Sequence, residues 1–475
     1  MKNLFFLYRT IILLLLFSCG ESITHQNWKK GNLHTHSLWS DGDDFPEMII
    51  QWYKDHDYQF IALSDHNIIA DSEFWYTLRE RDIKNKTLEK YQNRFGDWVE
   101  IKKDSVITSV RLKTFEEFKS KLEVTDSFLI IKSEEVTSSF EEKPVHMNVT
   151  NIQEKINPPK GQSVLDIMQL TINAVIEQSK KLNLKMFTHI NHPNFGYGVS
   201  VEDIKKLNGE RFFEVYNGHP AVNNEGDDMH IDTETMWDLI NIHYYDKDKP
   251  LMYGIATDDS HNYHTLSSEH SNSGRGWVMV NSKKLNPKNL IIAMENGDFY
   301  SSTGIYLKTI FANKHRLFIE INPEENTNYE IIFMGYKKGS NEVAQLKKVQ
   351  GTSASYYYKK DDIFIRARIN SDAKKENPYN LLKKTVQQHP LNEELRFKYA
   401  QLLAADERLN EAKSEFSILI SANPESPELL LTAALLNYEL GLLDEALSLL
   451  NRLIETRQRD NEAYYYLGLV ETSRG

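Results

Sequence analysis

Cysteine is nearly missing from this chain of 475 residues: Cys19 is the only one. A lone thiol excludes an internal disulfide framework. No G-x-S-x-G stretch occurs either, so no serine nucleophile elbow competes for the chemistry. Basic charge is in deficit, with 56 Lys and Arg against 68 Asp and Glu and a net charge of −12. That balance argues against a surface built to coat nucleic acid, although it does not exclude a local basic groove. Long apolar runs are also lacking. The longest, Ile11 to Phe17, is too short for a membrane-spanning helix of about 20 residues.

What is present begins at that run. Lys2 and Arg9 flank it, in the manner of a secretory signal, and it ends in Leu16-Phe17-Ser18-Cys19. This ending resembles the lipobox of bacterial lipoproteins. It implies a signal peptide over residues 1–18, lipidation of Cys19, and a tether over 19–27. Gly20 and Glu21 follow with no aspartate directly after the cysteine, which favours the outer membrane. The expected location is exported and membrane-anchored, in the periplasm or at the cell surface.

Beyond the tether, 40% hydrophobic and 11% aromatic residues suit a globular chain with a real core. From Lys30 to about Lys308 short apolar runs alternate with helical stretches, the rhythm of an α/β fold with a mostly parallel sheet. "FIALSDHN", "FLIIKSEEVT", "VHMNVTNI", "KMFTHINHP", "FFEVYNGHP" and "LMYGIATDDSH" read as strands with polar ends. "VLDIMQLTINAVIEQSKKL" has apolar residues at three- and four-residue spacing, and Thr114 with Glu117 marks a capping box opening another helix. Asp71 to Val110, aromatic and highly charged, reads as an insertion over the mouth of the fold. From Leu307 to about Asn370 alternating runs predict a small antiparallel β unit.

After a charged linker the tail has a period. Pro390 and Pro424 are 34 residues apart, as are Ala412 and Ala446. Tyr399, Ala433 and Leu467 keep the step, and so do Ala400, Ala434 and Gly468. This resembles a tetratricopeptide array, with small residues where paired helices touch. About two and a half repeats are expected, and the register ends inside a first helix with no polar capping helix. Either the array docks on another surface or the sequence is truncated.

Six of the 16 histidines fall at predicted strand ends beside acids: His34, His36, His66, His146, His192 and His261. Asp41, Asp65, Glu135, Asp258 and Asp259 accompany them. In α/β barrels strand ends converge on one face, and imidazoles mixed with carboxylates there suit zinc, manganese or iron.

"HTHSLWSDG", "LSDHN", "EEVT", "HMN", "NHPNFGYG", "EVYNGHP" and "ATDDSH" resemble, in order, the motifs of the polymerase and histidinol phosphatase (PHP) family of metal-dependent hydrolases. "GRGWVMVNS" and "GDFYSSTG" look like the end of that domain in its secreted branch. The resemblance covers residues 28–310. It implies a distorted seven-stranded (β/α) barrel of PHP type, followed by a small β domain over 311–372 and the all-α repeats over 378–475. It also implies two or three divalent ions. His34, His36 and Asp259 would bind the first. Glu135 would bridge it to a second, held also by His146 and His192. Asp41, His66 and His261 would hold the third. Ser64 and Ser133 depart from the family's usual threonine and glycine without removing a ligand. The doubled acids leave Glu134 competing with Glu135 and Asp258 with Asp259, and spacing to Val136 and His261 assigns the second of each pair. Asp65 is expected to orient a ligand rather than bind.

The implied reaction is hydrolysis of a small-molecule ester, phosphorylated by preference, through a bridging hydroxide beside Glu135. Glu135 and Asp259 are therefore catalytic candidates. Arg275, between glycines, is a candidate phosphate clamp. His219, after "EVYNG" with Asn217, is a candidate proton donor. His189 reads as packing, and His230, His243, His264 and His270 have no assignable role. Trp39, Phe195 and Tyr197 could line a substrate rim. The alternatives are carboxyl-ester or carbamate hydrolysis, nuclease-like action, and a cell-envelope scaffold whose repeats hold a protein or peptide. Filled ligand positions weigh against the scaffold, and nucleic acid is the least favoured partner.

Overall fold

The computed structural model describes residues 27–104, 107–373, 386, 392–405, 408–456 and 461–474. The expected signal peptide, Cys19 and most of the tether lie outside these residues. Two compact units divide the chain, residues 1–372 and 373–475. Among the described residues no helix is long and apolar enough to cross a membrane.

In chain order the strands of the first unit begin with β1 (Trp28–Asn32) and β2 (Phe60–Leu63). β3 (Phe74–Thr77), β4 (Ile101–Lys103) and β5 (Thr108–Leu112) follow in a separate sheet. Next come β6 (Leu129–Phe140), β7 (Lys143–Thr150), β8 (Phe187–Ile190), β9 (Phe212–Asn217) and β10 (Tyr253–Thr257). β11 (Trp277–Asn281) and β12 (Phe299–Ser302) complete the main sheet. The last six are β13 (Leu307–Ala312), β14 (Arg316–Ile321), β15 (Tyr329–Lys337), β16 (Val343–Gln350), β17 (Ser353–Tyr357) and β18 (Asp362–Ser371).

The main sheet has nine strands in the order β10-β9-β8-β7-β6-β2-β1-β11-β12. A parallel bridge between Thr35 and Ser260 joins the ends beyond β1 and β10, so the sheet curls nearly closed, like a barrel. β11 and β12 extend the sheet beyond β1, outside that closure. The sheet differs from the mostly parallel one expected: β1–β2, β2–β6, β8–β9 and β9–β10 are parallel, while β6–β7, β7–β8, β1–β11 and β11–β12 are antiparallel. The reason is local. Only Glu141 and Glu142 separate β6 from β7, and so short a link can close a hairpin but cannot supply a parallel crossover.

Helices cover the sheet where sequence pattern and caps agree. In Val164–Leu182 the Ser163 side chain accepts from the Asp166 N–H, and Val164, Ile167, Met168, Thr171, Ile172 and Val175 bury one stripe. Left-handed Asn183 ends it. Phe115–Leu122 has the expected Thr114–Glu117 capping box and buries Phe115, Phe118 and Leu122. The insertion that carries the β3-β5-β4 sheet reaches the motif "HTHSLWSDG" through its helix Glu80–Lys84: Arg81 donates to the carbonyls of Asp41 and Gly42 at 3.3 and 2.6 Å.

β13–β18 form two three-stranded sheets around Ile319, Ile321, Ile331 and Phe333. They join the barrel through Arg366, whose guanidinium holds Asp238 at 2.7 and 2.8 Å and Glu234 at 3.0 Å. The second unit contains helices Glu393–Ala405, Leu409–Ala422, Pro427–Glu439, Leu443–Thr456 and Asn461–Arg474. Ala400, Ala412, Ala433, Ala434 and Ala446 are buried where helices meet. At Gly468, however, an added Cβ would meet open space, so close packing does not explain that small residue.

Candidate metal centre

The histidines converge because their strands and loops do. "HTHSLWSDG" folds back on itself after β1, and an added Cβ on Gly42 would stand 2.6 Å from the His36 carbonyl oxygen. Asp65 fixes the same loop, accepting from the Ser37 N–H at 2.7 Å, its hydroxyl at 2.8 Å and the Ser40 hydroxyl at 2.7 Å. It therefore orients the backbone that presents His36 and Asp41. Asp259, just past β10, has φ of 49°, a left-handed conformation rare outside glycine and asparagine-like residues.

Glu135 lies at the centre, fully buried on β6. Its Oε2 is 2.8 Å from His66 Nδ1, 3.2 Å from His36 Nε2 and 3.5 Å from His34 Nε2. Its Oε1 is 3.1 Å from His146 Nδ1 and 3.5 Å from His192 Nε2. Asp259 Oδ1 is 3.1 Å from both His34 Nε2 and His36 Nε2, which are themselves 3.1 Å apart. Asp41 meets His261 Nε2 at 3.4 Å and His66 Nε2 at 3.5 Å.

Four overlapping donor sets result among the described residues: His34–His36–Asp259, His34–Glu135–His192, His36–Asp41–His66–His261 and, deeper, His34–His189–Glu214. His146 joins through Glu135. These spacings fit divalent cations. Donors about 2.0–2.2 Å from a tetrahedral ion stand roughly 3.3 Å from one another. Buried His36 Nδ1, His146 Nδ1 and Glu135 Oε2 also make no hydrogen bond with protein groups.

The electrostatics agree. Burial alone pushes the His34 imidazole down, but Asp259, Glu214 and Glu135 outweigh it and hold its pKa well above the usual value. His66 rises to about 11 against its burial, through Glu135 and Asp41. His36 falls to about 3, through burial and its neighbours His261 and His66. Glu135 and Asp259 stay well below the carboxylate range despite burial, held there by the surrounding imidazoles. Such a pocket attracts positive charge.

The doubled acids separate by geometry. Neighbouring strand residues face opposite ways, so Glu134 turns from the cluster and accepts from the Ile156 N–H at 2.9 Å. Asp258 is saturated by the Tyr53 hydroxyl and the N–H groups of Gly274, Arg275 and Gly276 at 2.6–2.9 Å.

Two of the candidates are engaged within the fold. Arg275 donates to the carbonyls of Gly218 and Ser267 at 2.8 and 2.6 Å, which makes it a brace between loops rather than a poised clamp. Trp39 is buried against Phe74 and donates to the Lys113 carbonyl, so it is packing rather than rim. Phe195 does stand at the cluster, its ring centroid 5.1 Å from His192. Tyr197 stacks on His230 and donates to Asp227 at 2.6 Å, securing a loop. His219 is half-buried with its ring centroid 5.3 Å from His261, and its Nδ1 accepts from the Ala221 N–H.

The family model described as a tetratricopeptide repeat matches residues 405–468, so the tail carries that repeat. No curated protein matches the chain. A two-domain protein from Bacteroides vulgatus ATCC 8482, containing a predicted PHP-like metal-dependent phosphoesterase, is among the similar solved structures. It is 14% identical with a TM-score of 0.37, covering 72% of this chain and 89% of its own. A protein from Bifidobacterium adolescentis ATCC 15703, assigned as a metal-dependent phosphoesterase, is 10% identical with a TM-score of 0.27, over 50% and 89%. An amidohydrolase from Chromobacterium violaceum is 12% identical with a TM-score of 0.27, over 57% and 97%.

Sequence reasoning missed Asn191 and Glu214 among the groups that hold the donors, and noticed Asn217 without its task. Asn191 Nδ2 donates to Glu135 Oε1 at 2.8 Å, and Asn217 Nδ2 bridges Asp259 and Glu214 at 3.1 and 2.8 Å. Glu214, fully buried on β9, accepts from His34 Nδ1 at 2.7 Å. One signal was available: an acid in the otherwise apolar strand "FFEVYN" needs a buried partner.

Proposed function

We propose that the chain is an exported metal-dependent hydrolase of phosphate esters. The observation that carries this reading is the placement of Glu135, whose two oxygens lie within 3.5 Å of five histidines. A fold has no stability reason to bury one carboxylate among five imidazoles, since desolvating such groups is costly. On this reading His34, His36 and Asp259 hold one divalent ion, and Glu135 with His146 and His192 holds another. Asp41, His66 and His261 hold a third. Bound ions there would acidify water and polarise an ester oxygen. The chain's own residues do the rest. Asn191 and Asn217 fix the carboxylates. His219, with Nδ1 accepting from Ala221, keeps its proton on Nε2 for a leaving group. Phe195 supplies an apolar wall.

Ester or carbamate hydrolysis is the second reading, favoured by one observation: Arg275 is spent on carbonyls, so it offers no phosphate clamp. The repeats would hold a peptide or partner protein, and Cys19 would tether the enzyme to the membrane. The test is metal analysis of the purified chain, then assays with zinc or manganese on p-nitrophenyl phosphate, bis(p-nitrophenyl) phosphate, p-nitrophenyl acetate and an aryl carbamate. Metal-dependent turnover of the phosphates is expected. Turnover of acetate or carbamate alone would select the second reading, and no bound metal would sink both.

A further inference from the structure

We propose that Glu214 is the positioning residue of the centre, and that it holds His34 in the one tautomer able to bind a cation. This rests on the metal-centre reading and deepens it. All the acceptor positions of the Glu214 carboxylate are used. Its Oε1 accepts from His34 Nδ1 at 2.7 Å and from the Thr257 hydroxyl at 2.7 Å, with His189 Nε2 a further 3.4 Å contact. Its Oε2 accepts from the His192 N–H and from Asn217 Nδ2, both at 2.8 Å. A carboxylate offers about four such positions, and these four bonds take them, with His189 the remaining neighbour.

Three proposed ligands therefore depend on one side chain. His34 is held directly, His192 through its backbone, and Asp259 through Asn217, which donates to both carboxylates. With the His34 proton on Nδ1, its Nε2 carries a lone pair, and that nitrogen is the one aimed at His36 and Asp259.

Replacing the carboxylate by an amide of the same shape exposes the dependence. In Glu214→Gln the new NH2 must take one of the two oxygen positions. At Oε2 it would oppose the His192 backbone N–H, a donor that cannot become an acceptor. At Oε1 it meets the Thr257 hydroxyl, which can rotate, and His34, which can change tautomer. The amide is thus driven to Oε1. His34 Nδ1 then becomes the acceptor, the proton moves to Nε2, and the lone pair facing Asp259 is lost.

The test uses the full chain loaded with zinc alone. Competition against a chromophoric chelator should show the tightest zinc of Glu214→Gln weakened 10- to 100-fold, the range for losing a partner of a ligating histidine. Nitrogen-15 spectra of histidine-labelled protein should show the His34 proton on Nδ1 in wild type and on Nε2 in the variant. Unchanged zinc affinity in a folded Glu214→Gln would overturn the proposal. If the variant does not fold, the wild-type spectrum decides, because a proton on Nε2 of His34 would refute it directly. Wild-type protein that takes up no zinc would overturn the metal-centre reading itself.

Discussion

Glu135→Gln is the sharpest perturbation of the centre, because the isostere keeps the volume and removes only charge and one acceptor. Asn191 Nδ2 donates to Oε1 at 2.8 Å, so the amide oxygen must sit there and the new NH2 replaces Oε2. It would then point at His66 Nδ1 and His36 Nε2, 2.8 and 3.2 Å away, where a cation needs a lone pair. Losing an outer partner of a ligand costs 10- to 100-fold in affinity. Losing a shared ligand should cost at least the upper figure, about 2.8 kcal/mol at 1.4 kcal/mol per tenfold. The assay is metal content after dialysis, with chelator competition for affinity and turnover measured on the same samples. Glu134→Gln is the control. Its carboxyl faces away and burial pushes it up to about 7, so an amide mimics the protonated form it half adopts already. Full metal and activity in Glu135→Gln, with loss of both in Glu134→Gln, would refute the assignment.

Glu210 is buried on Thr188 and the N–H groups of Arg211 and Phe212, and burial pushes it up to about 8. A raised carboxyl binds more protons folded than unfolded, so it erodes stability as pH rises from about 4.5 to 8, by up to roughly 1.4 kcal/mol per unit. Glu210→Gln should gain on wild type across that window in thermal melts, and parallel curves would contradict the reasoning. Cys19→Ser should move the protein from the membrane fraction to the soluble one without loss of activity, and retention in membranes would sink the lipid anchor. A chain ending after Asp372, which accepts from the Asn328 N–H at 2.7 Å, should keep metal and activity, since every proposed ligand precedes residue 262. The isolated repeats should melt without cooperativity; a sharp melt would show that they need no docking surface.

The candidate site was more legible than the fold that builds it. Histidines at strand ends stand out because such residues seldom collect there, and the pleat explains why only the second acid of "EEVT" faces inward. Strand direction was harder to read. β6 and β7 meet through Glu141 and Glu142, with φ of 55° at Glu141, and no Asn-Gly or Asp-Gly marks that turn. The same sequence serves a strand of either direction, so a rhythm of alternating elements suggested a parallel sheet. The tasks of Glu214 and Asn217, the second of them noticed only as a neighbour of His219, were hidden for a different reason. Their function lies in partners 180 and 42 residues away, His34 and Asp259, and neither residue type announces such a bond. Arg275 failed the other way: its flexible setting suggested a free guanidinium, while tertiary carbonyls had already claimed it.

The centre is graded in depth, with a chemical consequence. Glu135 projects from within the antiparallel β6–β7 pair, and His34 and His36 follow β1. The side chains of these three are fully buried, while Asp41 is 53% exposed and His66 26%. Charges in the buried group are screened little, and those at the exposed end are screened by water. On the proposed reading His34, His36 and Asp259 would hold an ion tightly, whereas Asp41, His66 and His261 would hold one more loosely, nearer solvent. The insertion bears on the same end through Arg81 of its helix and the Asp41 backbone, so a sequence change there would reach the most exposed member of the cluster before it reached the buried one.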